Sequence, residues 1–267
     1  MTWLTSAFEW QSRAVTARHV RLYFSDWPIK VLPPALEPVT MLTAFGLGLG
    51  AYMSGIEWRG QEVSYLSFVA PGMLAYAAFM TPFFQALFAA YIRMHYQRTW
   101  EGQLTTQIEM RHVVWGEVLW AAMLGTIYAT VVAAVLLIFR AFGVLTLDVW
   151  RLPLVIPLAF LAGCAFAAVA LCFTALIPTI DHMNLPVFLV VLPLGFASAT
   201  YFPIQHPVVV AVATFNPLYH LAEGLRGLLL GGPALYHLAV LTVSCVLLIA
   251  GPVPLDTRLL SRRVLGR

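Results

Sequence analysis

Only 12 acidic and 15 basic residues occur among the 267 of this chain, so their placement says more than their number. None of the constellations that carry catalysis is present. The single lysine, Lys30, follows Ile29, so the chain holds no G-x-x-x-x-G-K-[ST] loop to cradle a nucleotide's phosphates. There is no G-x-S-x-G nucleophile turn and no H-E-x-x-H metal helix. The seven histidines (19, 95, 112, 182, 206, 220 and 237) are scattered near the edges of apolar runs, not grouped at ligand spacing. Cys164, Cys172 and Cys245 lie inside apolar runs with no C-x-x-C partner and read as small packing residues. What remains is one dense polar stretch, Y-I-R-M-H-Y-Q-R-T-W-E-G-Q-L-T-T-Q-I-E-M-R-H-V-V-W-G-E, from Tyr91 to Glu117. It carries three Arg, two His and three Glu, flanked by aromatics and by long apolar runs on both sides. Such a segment can bind and be pushed; it has no nucleophile and base to react.

The elements that position it follow from composition. The chain is 61% hydrophobic and 10% charged, and its mean hydropathy is +0.83. A soluble domain carries about 25% charged residues, so this chain cannot coat a water-facing globule. It reads as an all-α polytopic membrane protein. A net charge of +3 offers nothing to nucleic acid. The N-terminus has no signal-peptide core, because charges recur through Arg21, so the first span is expected to act as the insertion signal.

Residues 1–30 are expected to form an amphipathic cytoplasmic interface segment. Leu4, Phe8, Val15 and Leu22 fall near one face, with Trp3, Trp10 and Arg13, Arg18 and Arg21 suited to anionic headgroups. Trp27-Pro28 and Pro33-Pro34 are expected to end it. A transmembrane domain at 31–258 then has six spans, at about 35–53, 65–91, 118–139, 152–177, 185–200 and 236–255, and residues 259–267 form a basic cytoplasmic tail. In the first span Gly46 and Gly50 are spaced for close helix approach. Pro71-Gly72 and Pro82 should kink the second, and Pro193-Leu-Gly195 should break the fifth. Tyr76, Phe79 and Phe83 form an aromatic stripe that either packs or lines a substrate path.

Within the bridge at 92–117, a short helix is expected from Thr99 to about Ile108. Glu117 sits at the mouth of the third span, where a carboxylate is solvated or paired. Residues 201–233 do not read as a span. Pro207 to Phe215 is apolar but too short to cross, and Asn216-Pro217 restarts a helix with Asn as its cap. A re-entrant hairpin fits, with Glu223 and Arg226 paired at i,i+3 and Asn216, Glu223 and Arg226 as a candidate gate. Eleven Lys and Arg fall on one set of loops and four on the other. The richer side is cytoplasmic, which puts both termini and the Tyr91–Glu117 bridge inside. With no ionisable pair deep in the spans, motion driven by a partner on the bridge is favoured over an ion-coupled carrier or a lipid-modifying enzyme.

R-M-H-Y-Q-R-T-W-E-G-Q-L-T-T, followed by W-G-E-V-L-W-A-A, resembles the first cytoplasmic loop of ABC-2 type permeases. Within that superfamily the chain is most similar to the nodulation protein J group, with its R-M-x-x-Q-R-T-W-E segment and G-E at the next span. P-G-M in the second span, F-P-I after the fifth and N-P-L-Y-H-L-x-E-G-x-R also resemble the superfamily. The resemblance implies a homodimer of permeases with two separate ATPase subunits, ATP and Mg being held by those partners and no cofactor by this chain. It implies export across the bacterial inner membrane of a lipid-linked or oligosaccharide-type cargo such as a lipo-chitooligosaccharide, or, in wider relatives, a drug. It also implies that the loop couples to the ATPase through Arg98, Thr99, Trp100, Glu101, Leu104 and Thr105. Gln107 stands where many such loops have proline.

Overall fold

The structure is a computed structural model that describes residues 2–49, 52 and 55–266. Helix α1 (Trp10–Phe24) follows a short helical run at Thr2–Phe8. Helix α2 (Trp27–Thr43) continues into a wide π-type turn at Ala44–Leu49. A hairpin of β1 (Ile56–Trp58) and β2 (Gln61–Val63) leads to α3 (Tyr65–Tyr96). The short α4 (Thr99–Leu104) precedes α5 (Met110–Ala141). Then come α6 (Val149–Leu176), α7 (Ile180–Phe196), α8 (Pro207–Ala213), α9 (Pro217–Leu229) and α10 (Leu235–Leu265).

Four of these, α3, α5, α6 and α10, are long and apolar enough to cross a membrane, and a fifth crossing results if α8 and α9 count as one. They coincide with the second, third, fourth and sixth expected spans. The expected first span begins within α2 and runs on through residues 50, 51 and 53, which lie outside the described residues, Gly50 among them. The expected fifth span corresponds to α7, which starts at Ile180 and stops at Phe196 rather than Thr200. Pro193 stands inside α7 just after a π-type stretch at Val187–Val191, and the helix ends at Phe196, one residue past Gly195, in line with the expected break near Pro193-Leu-Gly195.

Three further boundaries differ. The backbone stays helical through residues 33–34, because φ near −65° suits a helix and each proline removes only one bond. α5 begins at Met110, eight residues before the expected start, because Glu109 and His112 form a reciprocal cap there. α10 runs through Gly251 to Leu265, so the basic tail is helical and not a loose extension.

The core is where α3, α5 and α6 meet. Small residues set their spacing. A Cβ on Gly125 would lie 2.4 Å from Pro82 Cγ, and one on Gly163 would meet Ala122 and Pro82. Pro82 of α3 therefore seats in a notch cut by glycines on both neighbouring helices, which is tight packing of the kind lipid-embedded bundles need. Helix α1 packs on α5 through Ser12, Val15, Thr16, His19 and Tyr23. Of the four residues expected near one apolar face of the N-terminal segment, Val15 is covered by α5, and Leu4, Phe8 and Leu22 are exposed on the protein surface.

Candidate functional site

The polar bridge ends in a clamp. Glu117 is 1% exposed, so it is paired and not solvated. Arg93, from the last turn of α3, donates Nε to Oε1 at 3.0 Å and Nη2 to Oε2. Trp100 of α4 donates its indole N–H to Oε1 at 2.9 Å. His19 of α1 brings Nε2 within 3.3 Å of the same oxygen. One carboxylate thus ties four elements together. A buried carboxylate is costly unless donors surround it, and here a bidentate Arg does most of that work.

The bridge helix itself is shorter than the expected Thr99–Ile108. It ends at Leu104, and residues 105–107 form a turn before α5. Arg98, immediately before it, has φ 48°, a left-handed conformation uncommon outside glycine. The strain is of order 1 kcal/mol. It turns the chain sharply out of α3, and Thr99 holds the turn by donating Oγ to Arg93 O at 3.1 Å. Trp100 is fully buried beneath the helix, while Arg98, Glu101 and Thr105 are exposed and Thr99 and Leu104 half-buried. Of the six residues expected to couple, Trp100 therefore faces inward and anchors, and Arg98, Glu101 and Thr105 form the outer face.

One glycine explains why two of these elements meet. A Cβ on Gly116 would sit 2.4 Å from Val15 Cγ1, so α1 lies directly on α5 beside Glu117. Thr16 also donates to Gly116 O at 3.3 Å. Further along, His112 Nδ1 accepts from Glu109 N at 2.9 Å, which leaves Nε2–H to donate to Glu9 at 2.7 Å. That hydrogen bond from His112 holds the Glu9 carboxyl below its ordinary value of 4.5.

A second polar cluster lies in the bent α8–α9 pair, whose axes meet at 97°. Asn216 caps α9 by accepting from Leu218 N at 2.9 Å, and its amide donates to Leu194 O at 2.8 Å. The expected Glu223–Arg226 pair forms at 2.6 Å, with Arg226 fully buried. Arg226 does more than pair. Its Nε donates to Phe68 O at 2.9 Å and its Nη2 to the carbonyls of Ala199 and Thr200. Ala199 has φ 53°. Arg226 thus satisfies carbonyls freed where α7 ends in irregular backbone, and its guanidinium lies 3.8 Å from the centre of the Phe68 ring. Gly72 makes room: a Cβ there would lie 2.5 Å from Thr200 O and 3.0 Å from Arg226 Nη2. Glu223 also accepts from Trp58 Nε1 and Arg59 Nη2, each at 3.2 Å, and Arg59 donates to Pro233 O at 2.9 Å. His237 and His220 approach at 3.1 Å beside it.

The aromatic stripe is split. Phe79 and Phe83 are fully buried in the helix core, and Phe79 packs edge-on to Phe166 at 4.7 Å. Tyr76 borders a cavity of about 340 Å³ with Val191, Phe196, Tyr201 and Phe202. Its ring lies 5.9 Å from that of Tyr201. On the other side of Tyr76 a smaller pocket adds Glu37 and Tyr128.

Sequence reasoning missed His19, Arg93, Trp58 and Arg59 as partners, and it missed Asp256. No pair of charged residues was expected deep in the spans, and the single carboxylate of Asp256 on α10, fully buried beside Cys172, was not foreseen. It was read as lying just past the last span, and the longer helix carries it inward against α6. The useful signals were glycines: Gly72 and Gly116 mark where a backbone or helix must approach closely.

A mostly helical chain with four or five helical stretches able to cross a membrane and one short β-hairpin agrees with what comparison with known proteins finds. The chain belongs to the ABC-2 type transporter family, which matches residues 11–230. It is a multi-pass membrane protein and a transporter's membrane subunit rather than an enzyme. Among its relatives, nodulation protein J of Rhizobium leguminosarum bv. trifolii is 36% identical over 235 residues, covering 86% of this chain and 84% of that protein. Nodulation protein J of Sinorhizobium fredii is 31% identical over 263 residues, covering 96% and 95%. That of Rhizobium meliloti is 30% identical over 267 residues, with the same coverage.

Proposed function

We propose that this chain is the permease half of an exporter driven by separate ATPase subunits, and that these push on the outer face of α4. The observation that carries the reading is the Glu117 clamp. Trp100 roots α4 in the same carboxylate that joins the ends of α3, α5 and α1. A displacement of α4 is therefore delivered to two membrane helices at once, with no slack of a free loop between. Two copies of the chain with two ATPase subunits, holding ATP and Mg, would form the working complex in a bacterial inner membrane with both termini in the cytosol.

For the cargo we propose a lipid-linked or oligosaccharide-type molecule, on the resemblance to a group that exports lipo-chitooligosaccharides. The Tyr76–Tyr201 cavity supports a role for Tyr76 in the pathway, since it offers flat aromatic faces with few polar groups, as ligand sites do. Phe79 and Phe83 would support that wall from behind. The apolar lining of the same cavity favours a second reading, efflux of a drug-like molecule. The Asn216, Glu223 and Arg226 cluster would act as the gate by holding α9 against the end of α7.

Reversing the charge at Glu101 tests the coupling. Glu101→Lys should leave the protein folded in the membrane and abolish cargo-stimulated ATP hydrolysis and transport by the assembled complex. Transport at the unmutated rate would remove the outer face of α4 from the coupling role.

A further inference from the structure

A second cleft, of about 350 Å³, opens between α1, the start of α2 and the ends of α3 and α5. Arg18, His19, Lys30, Gln85, Arg93 and Gln97 supply polar groups to its wall, and Leu22, Tyr23, Ala89, Ile92 and Trp120 supply apolar ones. Three cations line it and no carboxylate does. Arg93 is spoken for by Glu117, and Lys30 donates to Leu22 O and Tyr23 O and stands 3.7 Å from Asp26. Arg18 differs. Its Nη1 is buried without a hydrogen-bond partner, and among the described residues no acidic group pairs with it. A guanidinium left short of an acceptor in a cationic cleft calls for an anion with several oxygens.

We infer that this cleft binds a phosphate group, with Arg18 as its principal contact, and that a lipid at the membrane surface presents it. The apolar rim argues for the lipid. Leu22 and Ile92 border the cleft and are more than a third exposed, and Phe24, Trp27 and Ile29, close in sequence to Leu22 and Lys30, are exposed apolar side chains as well. A free phosphate needs no such rim; an acyl chain beside its headgroup does. The cleft shares Arg93 and His19 with the Glu117 clamp, so occupancy bears on the root of α4; that consequence rests on the coupling role proposed above, whereas binding itself does not.

The experiment uses the purified full chain in zwitterionic detergent, with native mass spectrometry counting retained dioleoyl phosphatidate, dioleoyl phosphatidylcholine and inorganic phosphate. Phosphatidate should be retained over phosphatidylcholine. Arg18→Gln should weaken its binding about tenfold, as loss of one charge-assisted contact implies. Arg13→Gln, on the exposed side of the same helix, should leave it unchanged. Equal retention by R18Q and R13Q would overturn the site. Should R18Q fail to fold, Gln85→Glu replaces it, because a carboxylate in the wall should repel phosphatidate to a similar extent; undiminished binding there would likewise overturn the site. Displacement of phosphatidate by equimolar inorganic phosphate would overturn the assignment of the ligand to a lipid.

Discussion

The two buried charge clusters are built on opposite plans. At the bridge, one acid is the hub; Arg93 and Trp100 donate to it from two other elements, and His19 of a third lies 3.3 Å away. At the bent helix pair, one base is the hub, and besides Glu223 its acceptors are backbone carbonyls of Phe68, Ala199 and Thr200. The difference follows from what each must satisfy. The Glu117 cluster joins regular helices whose backbones are already bonded, so side chains alone meet there. The Arg226 cluster closes irregular backbone inside an apolar bundle, where an unpaired carbonyl costs several kcal/mol.

The sharpest way to break this contrast is to remove each hub. Arg226→Ala removes one of the three donors to Glu223 and the side-chain donor to the carbonyls of Ala199 and Thr200, and should cost about 3–5 kcal/mol. In practice folded protein should be lost on detergent extraction, read by size-exclusion chromatography. A well-behaved R226A protein would mean the carbonyls find other donors and the plug is dispensable. Glu117→Gln keeps an acceptor for Trp100 but leaves the 11%-exposed Arg93 without its counter-charge. It should cost about 2–3 kcal/mol as a lowered melting temperature, and it should also reduce coupled ATP hydrolysis. If E117Q lowers stability without touching coupling, the clamp is structural only.

Glu101→Lys sharpens the comparison from the other direction, since an exposed change should move stability by less than about 0.5 kcal/mol while stopping transport. The smallest effect concerns Glu9 and His112. The hydrogen bond from His112 depresses the Glu9 carboxyl, so the stabilisation is present above its ordinary value of 4.5 and lost as pH falls through the lower folded value. Docking of the N-terminal segment should therefore loosen only in that acidic window. Limited proteolysis between pH 5 and pH 3 would follow it, and Glu9→Gln should remove the dependence.

Much of the path to these clusters was open to inspection in the linear chain. The polar stretch from Tyr91 to Glu117 stands out because apolar runs enclose it, and Asn216-Pro217 marks the start of α9 by cap chemistry alone. The Glu223–Arg226 pair needed only helical spacing. By contrast the expected end at Pro33-Pro34 was misplaced because proline's φ suits a helix and α2 runs through it, and α5 was started too late because the Glu109–His112 cap went unread. Phe79, Phe83 and Tyr76 share a stripe, and only the position of α6 and of residues 199–202 determined which would be walled in and which would face a cavity.

Composition, span spacing and local caps are properties of neighbours in sequence, and they fixed the class of this protein: a helical membrane subunit with one polar handle. Which donors surround Glu117, which carbonyls Arg226 reaches and why Arg18 is left short of an acceptor depend on contacts across as many as 158 positions of chain. Those contacts exist only once helices pack, because desolvation in the bundle makes each unpaired charge or carbonyl seek the nearest complement, whatever its distance along the chain.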